Sequence, residues 1–271
     1  MKKVLIIGAG IAGLTCGIYL RRSGFETELY ELHSIAGGEC TGWDRKEYHF
    51  DGCIHWLMGS KPGTNLNTLW QETGALDDGV TIINHEIFCR YEEDGRFVNL
   101  YADADRLERH LLEISPQDAG EIRKLCGAIR VVAGMDMPLE KPMDMMSLSD
   151  GAAYAARNAG KLMKLSRYGK ISMDELAAKF RDPILGRAFL SAIPGFYKAT
   201  SLVTTLGSLH GGDSGYPLGG SRALARRMEQ KYLDLGGKAF YNARVEKIVV
   251  KEDRAAGLRL SDGREVSGDY I

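Results

Sequence analysis

Gly8-Ala9-Gly10-Ile11-Ala12-Gly13 has the glycine spacing of a loop that closes on the phosphates of a dinucleotide. In such a loop the first glycine permits a tight turn, the second lets the backbone approach a pyrophosphate, and the third lets a helix pack closely on a strand. The N–H groups at the start of that helix, from Ile11 and Ala12 onward, then face the phosphate charge. Glu31 lies about twenty residues further on, the distance at which an acidic side chain accepts hydrogen bonds from a ribose diol. A carboxylate there repels a 2′-phosphate, so the spacing predicts FAD or NAD in preference to NADP.

Three elements must position these residues. Val4-Leu5-Ile6-Ile7 reads as a buried strand running straight into Gly8, the stretch after Gly13 as a helix, and Glu28-Leu29-Tyr30 as a second strand delivering Glu31. Together they predict a βαβ unit. Lys2-Lys3 followed by an apolar stretch to Leu20 superficially resembles a secretory signal, but the glycines from Gly8 to Gly17 disfavour a continuous helix and no small-residue cleavage site follows. No stretch reaches the roughly 18 apolar residues of a membrane span. The expected location is cytoplasmic.

With 35 basic and 36 acidic residues the net charge is −1, so the overall field offers no attraction for nucleic acid and specificity must come from a local site. The five cysteines, at 16, 40, 53, 89 and 126, form no C-x-x-C pair, which fits reduced thiols better than a disulfide framework or a zinc site. The six histidines show no metal-binding spacing, and no metal is expected.

Further along, Leu32-His33-Ser34-Ile35-Ala36-Gly37-Gly38-Glu39-Cys40-Thr41 provides a second glycine pair just past the ribose-binding strand end. Two glycine sites in this order resemble the FAD-dependent phytoene desaturase, carotenoid isomerase and retinol saturase group within the amine-oxidase-like flavoproteins. The resemblance extends to Tyr48-His49-Phe50-Asp51-Gly52-Cys53-Ile54-His55, similar to the family's Phe-Asp-x-Gly-x-His turn beside the flavin, although here the glycine stands at 52 and Cys53 takes its usual place. Tyr216-Pro217-Leu218-Gly219-Gly220-Ser221, followed by a helix and a strand at Val245, is similar to a second family stretch.

The resemblance implies a bound FAD held by Gly8, Gly10, Ile11, Ala12, Gly13, Glu31, Leu32, Gly37, Gly38 and Glu39, with the backbone of Val245 pairing the adenine. It places His55 near the flavin, as an acid or base or as a supporting hydrogen-bond partner. The implied reaction is desaturation, saturation or isomerisation at carbon–carbon double bonds of an apolar, isoprenoid or carotenoid-like molecule. Two other readings stay open: a flavin amine oxidase, and a non-catalytic lipid-binding module like the prenyl-binding GDP-dissociation inhibitors. Family members continue well past residue 271, and the chain is expected to be an N-terminal portion.

The expected fold is α/β: a doubly wound FAD-binding domain from residues 1–75 and 215–271, interrupted by an α+β substrate domain over 76–214. Hairpins are expected at Asp94-Gly95 and Asp262-Gly263. Helix starts are expected at Ser115-Pro116, at the capping box Ser172-Met173-Asp174-Glu175, and at Asp182-Pro183. Met135, Met137, Met143, Met145 and Met146 with Pro138 and Pro142 read either as a lid over a hydrocarbon or as an irregular connection. Residues 152–170 read either as a basic amphipathic helix on an anionic membrane or as a solvated helix face.

Overall fold

The computed structural model describes residues 1–135, 139, 141 and 143–271. Met137, Pro138 and Pro142 of the methionine-proline cluster lie outside the described residues. The chain divides into two compact units: residues 1–56, 67–82 and 217–271 form one, residues 57–66 and 83–216 the other. The expected segments placed the first break at 75. In the structure residues 57–66 belong to the second unit, where Leu57 and Met58 pair with Gly215 and Ser214.

The first unit is built on parallel strands Lys3–Ile7, Glu26–Tyr30 and Lys238–Phe240, in that spatial order. Tyr270 continues the sheet beside Val4 in the same direction. Side chains alternate across a strand, and Leu5 and Ile6 therefore face opposite layers. Ile6 lies under the helix Ile11–Arg22, where a Cβ at Gly17 would come 3.3 Å from its Cδ1. The helix Gly220–Asp234 packs beside it with Leu224, Met228 and Tyr232 buried, and a Cβ at Gly17 would stand 2.6 Å from the Tyr232 ring. Leu5 instead joins Tyr30, Ala243, Leu258 and Leu260 in a separate apolar cluster.

Leu258 and Leu260 of that cluster come from an antiparallel sheet of Val245–Lys251, Arg254–Leu260 and Glu265–Ser267. Among the described residues, the second layer of the doubly wound sheet is thus this meander and not further helices. The β-branched run Ile248-Val249-Val250, the alternation of Leu258 and Leu260 and the Asp262-Gly263 turn favour strands over helix. A smaller hairpin, Gly42–Arg45 with Tyr48–Asp51, carries the turn that leads to His55.

In the second unit, strands Ile87–Glu93 and Arg96–Tyr101 form the expected hairpin, with Asp94 and Gly95 both at positive φ, as a two-residue type I′ turn requires. Helices Ala104–Ile114, Ala119–Val132, Pro183–Ala192 and Thr200–His210 supply Leu107, Leu111, Ile122, Ile129, Phe189, Leu202 and Leu206 to one core. Ser172 and Glu175 form the expected capping box, and Asp182 caps Pro183–Ala192. Ser115 differs from expectation. Its hydroxyl donates to Asp118 Oδ2 at 2.7 Å and caps no helix, and a 3-10 turn precedes the helix at Ala119.

The helix Leu148–Gly169 contains most of the basic amphipathic stretch. Tyr168 is buried and Leu165 packs on the core, leaving Met163 as its exposed large apolar side chain beyond Leu148. Among the described residues no helix is long and apolar enough to cross a membrane.

Candidate functional site

Gly8 takes φ +94°, a conformation that side-chain-bearing residues rarely adopt, and its N–H donates to Tyr30 C=O at 2.8 Å. The chain then turns through Ala9 into Gly10, which starts the helix Ile11–Arg22 from an extended conformation with no side chain capping it. A Cβ at Gly13 would lie 2.0 Å from Gly8 C=O, so only glycine lets the helix sit this close to the loop. At Gly10 the opposite holds: no atom lies within 4 Å of where a Cβ would be. Gly10 therefore borders open space at an uncapped helix N-terminus, the arrangement that accepts an anion.

The second glycine pair meets the first. Gly37 bridges Gly10 and donates its N–H to Ala9 C=O at 2.8 Å, and a Cβ at Gly38 would lie 3.2 Å from Gly10 Cα. Glu39 is exposed on the same loop. Both glycines have positive φ, 124° and 60°. The two loops are thus joined backbone to backbone, and a side chain at Gly38 would press on Gly10.

Glu31 is buried at the end of its strand. Its Oε2 accepts from Ala9 N–H at 2.6 Å and its Oε1 from His33 N–H at 2.8 Å. The carboxylate therefore supports the glycine loop directly, a role absent from the sequence reading. Each oxygen has a further lone pair to offer a ligand. Beside it, Ala243 N–H donates to Glu31 C=O at 2.8 Å, and Val245 begins its strand two residues later. Ile7 and Leu32, at the carboxyl ends of the first two strands, are exposed at 47% and 52%. Ligands of open α/β sheets bind outside that end of the strands.

Asp51 organises the turn that precedes His55. Its Oδ1 accepts from the N–H groups of Cys53 and Ile54, each at 3.0 Å, and from the Ser221 hydroxyl, while Oδ2 accepts from Ser221 N–H at 2.7 Å. Burial works to raise its pKa, but the hydrogen bonds from Ser221 and from these amides outweigh burial and hold it below the usual carboxylate range. The Ser221 hydroxyl also accepts from Ile54 N–H at 2.8 Å, and Cys40 Sγ donates to Ser221 C=O at 3.5 Å. Ser221 thereby links the loop of Gly37 and Gly38 to the turn carrying His55. His55 itself is exposed, its ring 6.3 Å from that of Trp56.

Gly8, Gly10, Ile11, Ala12, Gly13, Gly37, Gly38 and Glu31 thus form one constellation, with Leu32, Glu39 and Val245 at its margins and His55 joined to it only through Ser221. Asp51 and Ser221 carry no role in the sequence reading. An Asp in one turn and a Gly-Gly-Ser helix start are each capping signals, but nothing local pairs residues so far apart. In the second unit a cavity of about 220 Å³ is lined by Met58, Val132, Met135, Tyr154, Thr204 and Ser208 among others. Among the described residues no three His, Cys, Asp or Glu side chains come together as metal ligands.

This fold and site define a Rossmann-like dinucleotide-binding protein, and residues 6–73 match the model of the NAD(P)-binding Rossmann-like domain. Over 96% or more of its length the chain is similar to a phytoene desaturase and a prolycopene isomerase. It is 28% identical to a phytoene desaturase (lycopene-forming) of Pseudescherichia vulneris, covering 100% of this chain and 55% of that protein. Against prolycopene isomerase 1, chloroplastic, of an Oncidium hybrid cultivar the identity is 27%, covering 96% and 46%. The chain spans about half the length of these relatives. A redesigned putrescine oxidase shares the fold, with a TM-score of 0.59 at 17% identity over 98% of this chain and 56% of that one.

Proposed function

We propose that the protein serves an FAD-dependent oxidoreductase acting on carbon–carbon double bonds of an apolar, isoprenoid or carotenoid-like substrate, by desaturation, saturation or isomerisation. The observation that carries this reading is the junction of Gly10 with Gly37 and Gly38 at an uncapped helix N-terminus beside buried Glu31. An NAD fold needs only the first glycine loop, whereas a second loop on the same spot suits a longer dinucleotide.

The residues present fit FAD. Gly10, Ile11, Ala12 and Gly13 would face the pyrophosphate, Glu31 would accept from the adenosine ribose, the backbone of Val245 would meet the adenine, and Gly37, Gly38 and Glu39 would flank the chain toward the flavin. When bound, FAD supplies two-electron redox chemistry. The protein's part is to hold the cofactor and keep water from it. The sequence relatives favour the polyene substrate over an amine, since the amine oxidase likeness is one of fold alone.

Absorbance titration of the chain with FAD, NAD⁺ and NADP⁺ tests the reading. Resolved flavin bands with FAD, and no competition from NADP⁺, are expected. Preferential binding of NADP⁺ with no flavin bands would overturn it.

A further inference from the structure

Cys40 and Cys53 lie just past the open end of the hairpin Gly42–Arg45 and Tyr48–Asp51, one beyond each strand. The ladder pairs Trp43 with Phe50 and Gly42 with Asp51. Gly52 N–H, donating to Thr41 C=O at 2.8 Å, holds the two segments together one step further on, and Cys40 and Cys53 are the chain neighbours of that bonded pair. The Cys53 side chain counts among the hydrogen-bond partners of the Cys40 thiol. Thiols in such contact can join with little movement of the backbone.

Both residues are also tied to one hydrogen-bonded pair, Asp51 with Ser221. Cys40 Sγ donates to Ser221 C=O at 3.5 Å, and Cys53 N–H donates to Asp51, which in turn accepts from Ser221. Cys40 is buried and Cys53 exposed, both as free thiols. Burial pushes the Cys40 thiol up to about 11, and the adjacent Cys53 thiol adds to the rise. Of the other cysteines, Cys126 is buried in the core of the second unit, and Cys16 lies on the first helix.

We propose that Cys40 and Cys53 are an oxidation-sensitive pair that closes to a disulfide when the protein meets a hydroperoxide. The exposed Cys53 sulfur takes one peroxide oxygen, giving a sulfenic acid and releasing an alcohol, or water from hydrogen peroxide. The Cys40 sulfur then attacks the Cys53 sulfur, and its thiol proton leaves with the sulfenic hydroxyl as water. Two thiols lose two electrons and the peroxide gains them. The product would tie the loop of Gly37 and Gly38 covalently to the turn before His55. The pairing itself does not depend on which dinucleotide the glycines hold.

Treatment of the full chain with one equivalent of hydrogen peroxide, followed by thiol counting after denaturation, tests this. The count is expected to fall from the five of the sequence by two, and to recover with dithiothreitol. Trypsin cuts after Arg45 and Lys46, so a non-reducing digest should hold a Cys40 peptide joined to a Cys53 peptide. Cys53→Ser, a change at an exposed position, should abolish that joined peptide while circular dichroism stays unchanged. An unchanged thiol count, Cys53 driven to sulfinic acid beside a free Cys40 thiol, or two chains coupled through Cys53 would each overturn the proposal.

Discussion

Asp51 and Ser221, 170 residues apart in the chain, meet where the helix Gly220–Asp234 begins, the carboxylate accepting from both the N–H and the hydroxyl of Ser221. The contact closes the N-terminus of that helix and fixes the turn before His55 in one step. Asp51→Ala leaves the Ser221 and Cys53 amides without their acceptor and the Ile54 amide with the Ser221 hydroxyl alone. The expected loss is about 1–3 kcal/mol of stability. Ser221→Ala removes the hydroxyl but keeps the amide-to-carboxylate bond, so it should cost less. Urea unfolding of the two variants gives the order, and a larger loss in Ser221→Ala would contradict the capping role.

Gly10 and Gly13 separate ligand approach from packing. A Cβ at Gly13 would fall 2.0 Å from Gly8 C=O, and a backbone atom cannot swing aside, so Gly13→Ala should destabilise by about 3 kcal/mol or more. At Gly10 the φ of −68° suits any residue and the Cβ would enter open space. Gly10→Ala should therefore leave the melting temperature within a few degrees, a change of about 0.5 kcal/mol. The added methyl occupies the approach to the helix N-terminus, so FAD affinity should fall at least tenfold. A stable Gly10→Ala chain with undiminished FAD binding would show that the cofactor does not lie over Gly10.

Glu31 has two duties that a single truncation confuses. Its carboxylate accepts from the Ala9 and His33 amides while buried. Glu31→Ala strands both donors and should cost about 2–4 kcal/mol as well as cofactor affinity. Glu31→Gln keeps one acceptor oxygen and the side-chain volume, and should lose less stability than Glu31→Ala. It also removes the charge that excludes a 2′-phosphate, so discrimination between dinucleotides with and without that phosphate should narrow. Paired melting curves and titrations separate the effects, and unchanged discrimination in Glu31→Gln would remove Glu31 from the ribose site.

What the sequence made legible was what spacing encodes. The loop from Gly8 to Gly13, the hairpin at Asp94-Gly95 and the box from Ser172 to Glu175 are each defined within a few residues, because turn and cap geometry is local. The bond from the Ala9 amide to Glu31 was hidden because the spacing shows only that an acid arrives, not which way its second oxygen turns. Ser115 misled for a related reason. Its hydroxyl was free to cap, but Asp118 three residues on offered a charged acceptor, and the first turn tightened into a 3-10 form. The Asp51 contact with Ser221 needed the whole fold to bring its halves together.

Asp118 shows how the second unit responds to pH. The side chain is 4% exposed, accepts from Arg181 and Asp182 amides at 2.8 and 3.0 Å, and receives the Ser115 hydroxyl. It thus joins the start of Ala119–Val132 to the start of Pro183–Ala192 inside one core. Burial raises its pKa, but these three hydrogen bonds and the nearby Arg181 charge outweigh burial and leave it below the usual carboxylate range. A carboxyl lowered on folding binds its proton more readily when unfolded. Its stabilisation is therefore present above the unfolded pKa and is lost as pH falls through the folded one. Asp118→Asn keeps one acceptor for the amides but no charge, and should cost about 1.5–3 kcal/mol at neutral pH. Because the wild type alone loses a carboxylate in acid, the gap between the two should shrink as unfolding is repeated from about pH 7 to about pH 3. A gap that stays constant over that range would mean the Asp118 charge contributes nothing to the junction of these helices.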